Sequence, residues 1–226
     1  MAPQKTKDKA FLPYRPPYYP PQSMRERARE FRSAMAYRRS CRYFSSVPVN
    51  RLVIEEVLDT ACQAPSGANK QPWTFVAISN PLIKKEIRQA AEQEEHQFYN
   101  QRASEEWLED LRPLGTTWEK PYLEEAPWLI VVFKQTYEAT PAGKRKNYYV
   151  NESVGLAAGV LLSALQYAGL ASLTHTPSPM DFLTRELNRP AHEKPFLLIP
   201  TGYPREDALV PNLARKPLEE MRKIIE

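Results

Sequence analysis

Arg38, Arg39, Ser40 and Arg42 fall within five positions of the stretch YRRSCRYF, three guanidiniums and a hydroxyl side by side. Adjacent guanidiniums repel one another unless an anion sits between them, and two arginines with a hydroxyl match the oxygens of a phosphate monoester. The same cations also suit the solvated C-terminal end of a helix, where the macrodipole favours positive charge. A second dense stretch, QAPSGANKQPWTF at 63–75, carries Pro65, Ser66, Gly67, Asn69, Gln71 and Pro72 in a chain with only seven glycines. That is more turn chemistry than a connector needs. Gly67 allows a positive φ and close approach of a ligand, Ser66 and nearby amides can donate to ring carbonyls, and Asn69 and Gln71 offer both donors and acceptors. Together the two stretches suit an anion attached to a flat heteroaromatic ring.

Other chemistries are excluded by pattern. There is no GxGxxG and no GxxxxGKS/T, so neither a dinucleotide fingerprint nor a P-loop is available. His96, His175 and His192 lie far apart without HxxxH or HExxH spacing, which argues against a metal site. GxSxG is absent as well. Cys41 and Cys62 are too few for a disulfide framework and fit a reducing cytoplasm. The net charge of +4 hides an asymmetry: eleven Lys or Arg against Asp8, Glu26 and Glu30 give the first 42 residues +8, and the remainder is −4. A basic arm of this kind can meet nucleic acid, an acidic membrane or a phosphorylated ligand. The acidic remainder would repel a polyanion and no nucleic-acid motif is present, so nucleic acid is not expected as a partner. Lys and Pro stand where a signal peptide would need an apolar core.

The elements that must hold these residues follow from periodicity. Six prolines among residues 1–22, interleaved with aromatics, rule out a helix and predict an extended arm, lying on the protein or a partner subunit or simply loose. A helix is expected from Ser23, with Glu26 completing a capping box. Ile54, Val57, Leu58, Ala61 and Cys62 recur at helical spacing and lead into the 63–75 turn. WTFVAI, WLIVVF, ASLTHT and FLLIPTGYP read as strands. Asn80–Pro81 opens a helix with Ile83, Ile87, Ala90 and Ala91 on one face. From 92 to 120 the chain is polar and mostly helical, with no face wide enough for a core, and reads as a lid. The apolar helix at 151–170 contains Gly155 and Gly159, which would let another helix approach closely; bounded by charges, it reads as a core or dimer-interface helix and not as a membrane span. A short helix near Leu183 and a helix-prone tail complete an α+β or α/β sandwich with four or five strands.

With RRS followed by APSGxNxQPW and a strand, and with AGLxxxTxTP, RPAHEK, GYP and VPxLxRKPL further on, the chain from about Ser23 to its end resembles the FMN-dependent nitroreductase superfamily and its deiodinase branch. The resemblance implies an α+β, nitroreductase-like three-layer sandwich, a central mixed sheet flanked by helices, with extended terminal arms exchanged in a homodimer. On that view residues 1–22 are the arm and 23–226 the FMN-binding domain with its lid at about 92–120. It implies that Arg38, Arg39, Ser40 and Arg42 hold the FMN phosphate end, with Arg215 adding a contact. Pro65, Ser66 and Gly67 would line the flavin, as would Thr174, His175 and Thr176. Thr176 would be the catalytic hydroxyl, donating toward flavin N5 so that electrons leave singly. His175 replaces the threonine more usual there.

Glu95 and Tyr99, four apart on one helix face, and Lys120 beyond the Leu114–Gly115 break match the branch's clamp for an amino-acid zwitterion. By spacing alone Glu95 would be a solvated helix residue; the joint match reverses that. The Ala68 amide would donate to the substrate phenolate. The implied activity is FMN-dependent reductive dehalogenation of mono- or dihalotyrosine, releasing halide and tyrosine, with NAD(P)H or another reductant as electron donor. A general nitroreductase or quinone reductase on the same scaffold is the alternative. His96 and Gln97 depart from the branch pattern, the 136–147 loop is one residue shorter than in animal relatives, and the vertebrate membrane anchor has no counterpart, so a cytoplasmic protein is expected.

Overall fold

The computed structural model describes residues 12–226; residues 1–11 of the expected arm lie outside them. The described residues up to Ala36 and residues 37–226 form separate compact units. In the first, residues 12–20 carry no regular structure and helix α1 runs Pro21–Ala36 with no buried side chain. The helix therefore begins two residues before Ser23. Pro21 fits the first turn, where its missing amide costs nothing, and Gln22 rather than Ser23 reaches Glu26, at 2.9 Å. The Arg27 guanidinium stacks 4.4 Å from the Tyr19 ring. Arg38 and Arg39 lie past the end of α1, in extended chain.

The second unit is built on a four-stranded antiparallel sheet, ordered β1 (Trp73–Ile78), β2 (Trp128–Gln135), β6 (Glu193–Gly202), β5 (Ala171–Ser172). Ser40 adds a parallel bridge to Ser172, which makes the sheet mixed and brings the arginine segment alongside β5. Alternation along β2 divides the core in two. Leu129, Val131 and Phe133 face Ile87 and Ala91 of α3 (Pro81–Gln97), Leu123 of α5 (Tyr122–Glu125) and Leu183 of α7 (Asp181–Glu186). Ile130 and Val132 face Ile54, Val57 and Ala61 of α2 (Arg51–Cys62) and Val154, Ala157, Leu161 and Leu165 of α6 (Val150–Tyr167). Helices on both faces make three layers, each fully buried aliphatic contributing about 1.5–3 kcal/mol.

Local chemistry sets the helix starts. Asn50 caps α2 through Leu52 N, and Asn80 caps α3 through Leu82 N and Ile83 N with Pro81 at the first position. At its far side α3 is tied to α5 by Lys84, whose buried ammonium donates to the carbonyls of Glu124 and Ala126 at 2.9 and 2.7 Å. The segment 136–147 is a hairpin, β3 (Tyr137–Thr140) with β4 (Gly143–Lys146). ASLTHT forms only the two residues of β5 plus a bridge from His175 to Leu198. The tail is extended apart from α8 (Leu218–Met221), since Pro211 and Pro217 interrupt it. No helix of the described residues is long and apolar enough to cross a membrane.

Candidate active site

Helix α3 does not end where the polar run begins. It continues unbroken to Gln97, and its buried face proceeds Lys84, Ile87, Ala91, Glu95 at intervals of three and four. Glu95 is therefore held by the same helix that packs on the sheet, a polar residue at a core position. A π turn, Phe98–Arg102, follows and carries Tyr99; then come α4 (Glu105–Leu111) and a 3₁₀ turn, Arg112–Leu114. The chain returns to α3 at Lys120, whose backbone amide donates to Glu92 Oε1 at 2.7 Å. Arg88 holds Glu92 in turn, at 2.8 Å, and Glu124 at 3.0 Å.

These turns enclose a cavity of about 250 Å³ whose wall includes Arg42, Glu95, Tyr99, Lys120, Thr174, His175 and Thr176. Lys120 Nζ lies 3.1 Å from Glu95 Oε2, and both side chains are almost wholly buried. The Lys120 ammonium also donates to Thr116 Oγ1 and the Thr117 carbonyl and sits 5.3 Å from the centre of the Tyr99 ring. The Tyr99 hydroxyl donates to the Thr116 carbonyl at 3.3 Å. Burial pushes the Glu95 carboxyl above its ordinary range and Lys120 below its own, and each partner partly offsets the other's loss of solvent. In this state the carboxylate and ammonium satisfy each other. A zwitterion offers the same two charges in reverse and can replace that contact.

Arg42 reaches this wall from the other side of β5, where Cys41 N donates to Ser172 O at 3.1 Å. Its Nε is buried without a partner. Arg215 Nη2 donates to the Arg38 carbonyl at 3.2 Å and Arg39 donates to the Pro211 carbonyl, so the tail lies along the arginine segment and brings Arg38, Arg39 and Arg215 together. Among the described residues none of Arg38, Arg39, Arg42 or Arg215 has a carboxylate within ion-pair distance.

The Pro65–Ala68 turn is elsewhere and forms no part of the cavity wall. It packs on the start of α6: Gly67 N donates to Ser153 Oγ at 3.2 Å, and Gln71 N to Ser66 Oγ at 2.9 Å. Gly67 does not have a positive φ; Ala68, Asn69 and Gln71 do. What Gly67 supplies is the missing Cβ, which would meet Tyr149 Cδ2 at 2.8 Å and the Tyr148 carbonyl at 3.0 Å. With the amides of Gly67, Asn69, Lys70 and Gln71 all bonded within the protein, the backbone donors left for a ligand at 66–71 narrow to Ser66 and Ala68. Gly67→Ala is expected to cost about 1–2 kcal/mol through this overpacking, read as a lower urea midpoint with unchanged slope.

Pattern reasoning missed further wall residues, among them Phe98, Trp107, Leu111, Leu114 and Tyr122. Phe98 and Trp107 form an edge-to-face pair at 4.9 Å. The available signal was four aromatics, Phe98, Tyr99, Trp107 and Trp118, set in a largely polar run. Tyr122 carried no signal; its phenol lies 3.4 Å from His175 Nδ1, and burial raises its pKa.

The nitroreductase family matches residues 35–203. The chain is 56% identical to an iodotyrosine deiodinase of Haliscomenobacter hydrossis over 92% of its own length and 94% of that protein's. It is 45% identical to iodotyrosine deiodinase 1 of Homo sapiens over 93% and 73% of the respective chains. This chain belongs to the nitroreductase family, among its iodotyrosine deiodinases. A crystal structure of oxidized iodotyrosine deiodinase bound to FMN and 3-iodo-L-tyrosine superposes with a TM-score of 0.71 at 30% identity, covering 87% of this chain and 97% of that one. The family's fold is thus the frame on which this chain sets its acid–base pair and its arginines.

Proposed function

We propose that this protein is an FMN-dependent oxidoreductase that removes halogen from mono- or dihalotyrosine, releasing halide and tyrosine. One observation carries the reading: Glu95, Tyr99 and Lys120 converge in the wall of one cavity that also includes Arg42 and the Thr174–Thr176 segment. A carboxylate, a phenol and an ammonium so arranged take the ammonium and carboxylate of an amino acid, which a general nitroreductase has no need to grip. The relatives named above support the same conclusion.

The residues fit FMN. Arg215 rests on the Arg38 carbonyl and Arg39 on the Pro211 carbonyl, none of these arginines has an acidic partner among the described residues, Arg42 Nε is buried and unsatisfied, and Ser40 bridges to β5 in the same segment; this is a donor set suited to an anion. In our reading Arg38, Arg39, Ser40 and Arg215 hold the phosphate, Arg42, Thr174, His175 and Thr176 border the ring, and the Thr176 hydroxyl donates at its reactive edge. When bound, FMN supplies two electrons; with one proton these replace a carbon–halogen bond by carbon–hydrogen and release halide.

The rest is done by this chain. Substrate exchanges the internal Lys120–Glu95 contact for its own: its ammonium goes to Glu95, its carboxylate to Lys120 and the Tyr99 hydroxyl. The segment from 92 to 120 then works as a lid, with Phe98 and Trp107 keeping water from the phenol. Pro65, Ser66, Gly67 and the Ala68 amide, which a phenolate oxygen would need, lie on the α6 side. We infer that a second copy docks on the open face of α6 and completes the site. Leu156 is exposed there, and added Cβ atoms at Gly155 and Gly159 would touch nothing within the chain. The extended terminal arms are suited to wrapping such a partner. NADH, NADPH or another reductant would recharge the flavin, and the free thiols, Cys41 buried and Cys62 exposed, suit a cytoplasmic protein.

Single-turnover oxidation of the reduced holoenzyme tests the reading. Iodotyrosine is expected to oxidise it far faster than a nitroaromatic lacking the zwitterion; equal rates would make it a general reductase instead.

A further inference from the structure

Among the described residues the cavity wall holds a second buried polar atom with no hydrogen-bond partner besides Arg42 Nε, namely Nε2 of His175. Its position is not an accident of a loose loop. His175 N donates to Leu198 O at 2.8 Å and Leu198 N to His175 O at 3.0 Å, pinning the backbone to β6. The ring meets Tyr122 edge to face at 5.9 Å and is 7% exposed. Nδ1 is 3.4 Å from the Tyr122 hydroxyl and Nε2 is 3.9 Å from Glu95 Oε1. That gap exceeds a hydrogen bond by roughly 1 Å, a distance that a turn of the glutamate side chain closes.

The tautomer follows from the neighbours. Tyr122 stays a neutral phenol, and Glu95 is an acceptor only. A lone pair on Nε2 would face the carboxylate's own lone pairs, so the proton belongs on Nε2 and the phenol donates to Nδ1. The imidazole itself is uncharged: burial, with Lys120 and Arg42 nearby, pushes its pKa down to about 3. Lys120 occupies Glu95 Oε2, while Oε1 faces only His175 at this distance.

We propose that His175 is a positioning residue for Glu95: the imidazole anchored by Tyr122 presents Nε2–H to Oε1 and remains as the carboxylate's donor when Lys120 turns to the carboxylate of a bound amino acid. The proposal rests on the halotyrosine reading of the cavity. A neutral donor is what the place requires, because a cation here would compete with the substrate ammonium, whereas no donor at all would leave a buried carboxylate drifting toward its protonated form. The charged and titratable groups that act on Glu95 are Lys120 and Arg102, which favour its ionised form. Those acting on His175 are Lys120 and Arg42, with Tyr122 and Glu95 in contact.

The test compares holoenzymes of the wild type, His175→Phe and His175→Gln. The Glu95 carboxyl is titrated by ¹³C NMR in glutamate-labelled protein, assigned with Glu95→Gln, and kcat/KM is measured against pH for iodotyrosine and 2-iodophenol. In His175→Phe the Glu95 titration is expected to move up by about one pH unit, and the acid limb for iodotyrosine with it. The preference for iodotyrosine over 2-iodophenol should fall about tenfold, whatever loss the two share. His175→Gln, which retains an N–H at the same reach, should recover most of both. A Glu95 titration and a substrate preference unmoved in His175→Phe overturn the proposal. If that variant folds poorly, His175→Asn carries the same test, since it keeps a partner for Tyr122 and withdraws the Nε2 donor. A wild type that does not prefer iodotyrosine would defeat the halotyrosine reading, while the carboxyl titration would still decide the His175–Glu95 contact.

Discussion

Purified protein with both Arg38→Ala and Arg39→Ala is expected to emerge without bound flavin, its affinity for added FMN reduced on the order of 10²- to 10⁴-fold. Each guanidinium lost removes a charge-assisted hydrogen bond of about 1.5–3 kcal/mol, and two such losses in one anion site compound. Among the described residues these cations have no acidic partner to release on substitution, so no freed carboxylate offsets the loss. Arg39 also steadies Pro211, and Arg215 rests on the Arg38 carbonyl, which the alanine keeps. The backbone bond from Cys41 to Ser172 is untouched, so the sheet edge and the far-ultraviolet spectrum should survive. A yellow variant carrying one FMN per chain with wild-type affinity would remove this segment from the phosphate site.

The second large effect concerns the lid. Lys120→Ala is expected to weaken iodotyrosine binding by about 1.5–3 kcal/mol, roughly 10- to 150-fold, measured by quenching of bound flavin fluorescence. Two losses are superimposed. The substrate carboxylate loses its cation, and Glu95 loses the ammonium that does most to keep its buried carboxyl ionised, so its pKa rises further above the ordinary range. A carboxyl with a raised pKa is protonated over a wider range as pH falls. The penalty should therefore grow from pH 8 to pH 6, since a neutral Glu95 cannot hold an ammonium. Unchanged affinity across that range would mean that Lys120 serves only to neutralise Glu95 in the free protein.

How far the sequence could be read depended on whether a residue's partner was near in the chain. Asn80 announced its helix because a cap acts on amides two and three residues on; Asn50 caps α2 in the same way but was not needed to read that helix from its apolar spacing. WLIVVF announced a central strand because both faces of β2 are buried and every side chain must be apolar. Glu95 was misleading in isolation, since an acidic run reads as solvated; only the helix phase shared with Ile87 and Ala91 places it inside. Gly67 was expected to need a positive φ and does not; what the fold requires of it is the missing Cβ, set by Tyr149 some eighty residues later. Tyr122 and its contact with His175 left no trace in local pattern at all.

The sequence by itself determined the helical layers about a central sheet, the arginine segment and the glycine turn, and its resemblance to the family pointed to Glu95, Tyr99 and Lys120 as the residues to look for. These are matters of periodicity, side-chain chemistry and motif, all of which survive without coordinates. Only the tertiary structure decided that Glu95 and Lys120 pair at 3.1 Å, that the turn sits on α6 away from the cavity, and that His175 Nε2 lies 3.9 Å from Glu95 Oε1. Each of those depends on distances between side chains brought together by the crossing of α3, the β5–β6 edge and the returning chain at Lys120, and burial sets the charge that each group carries there.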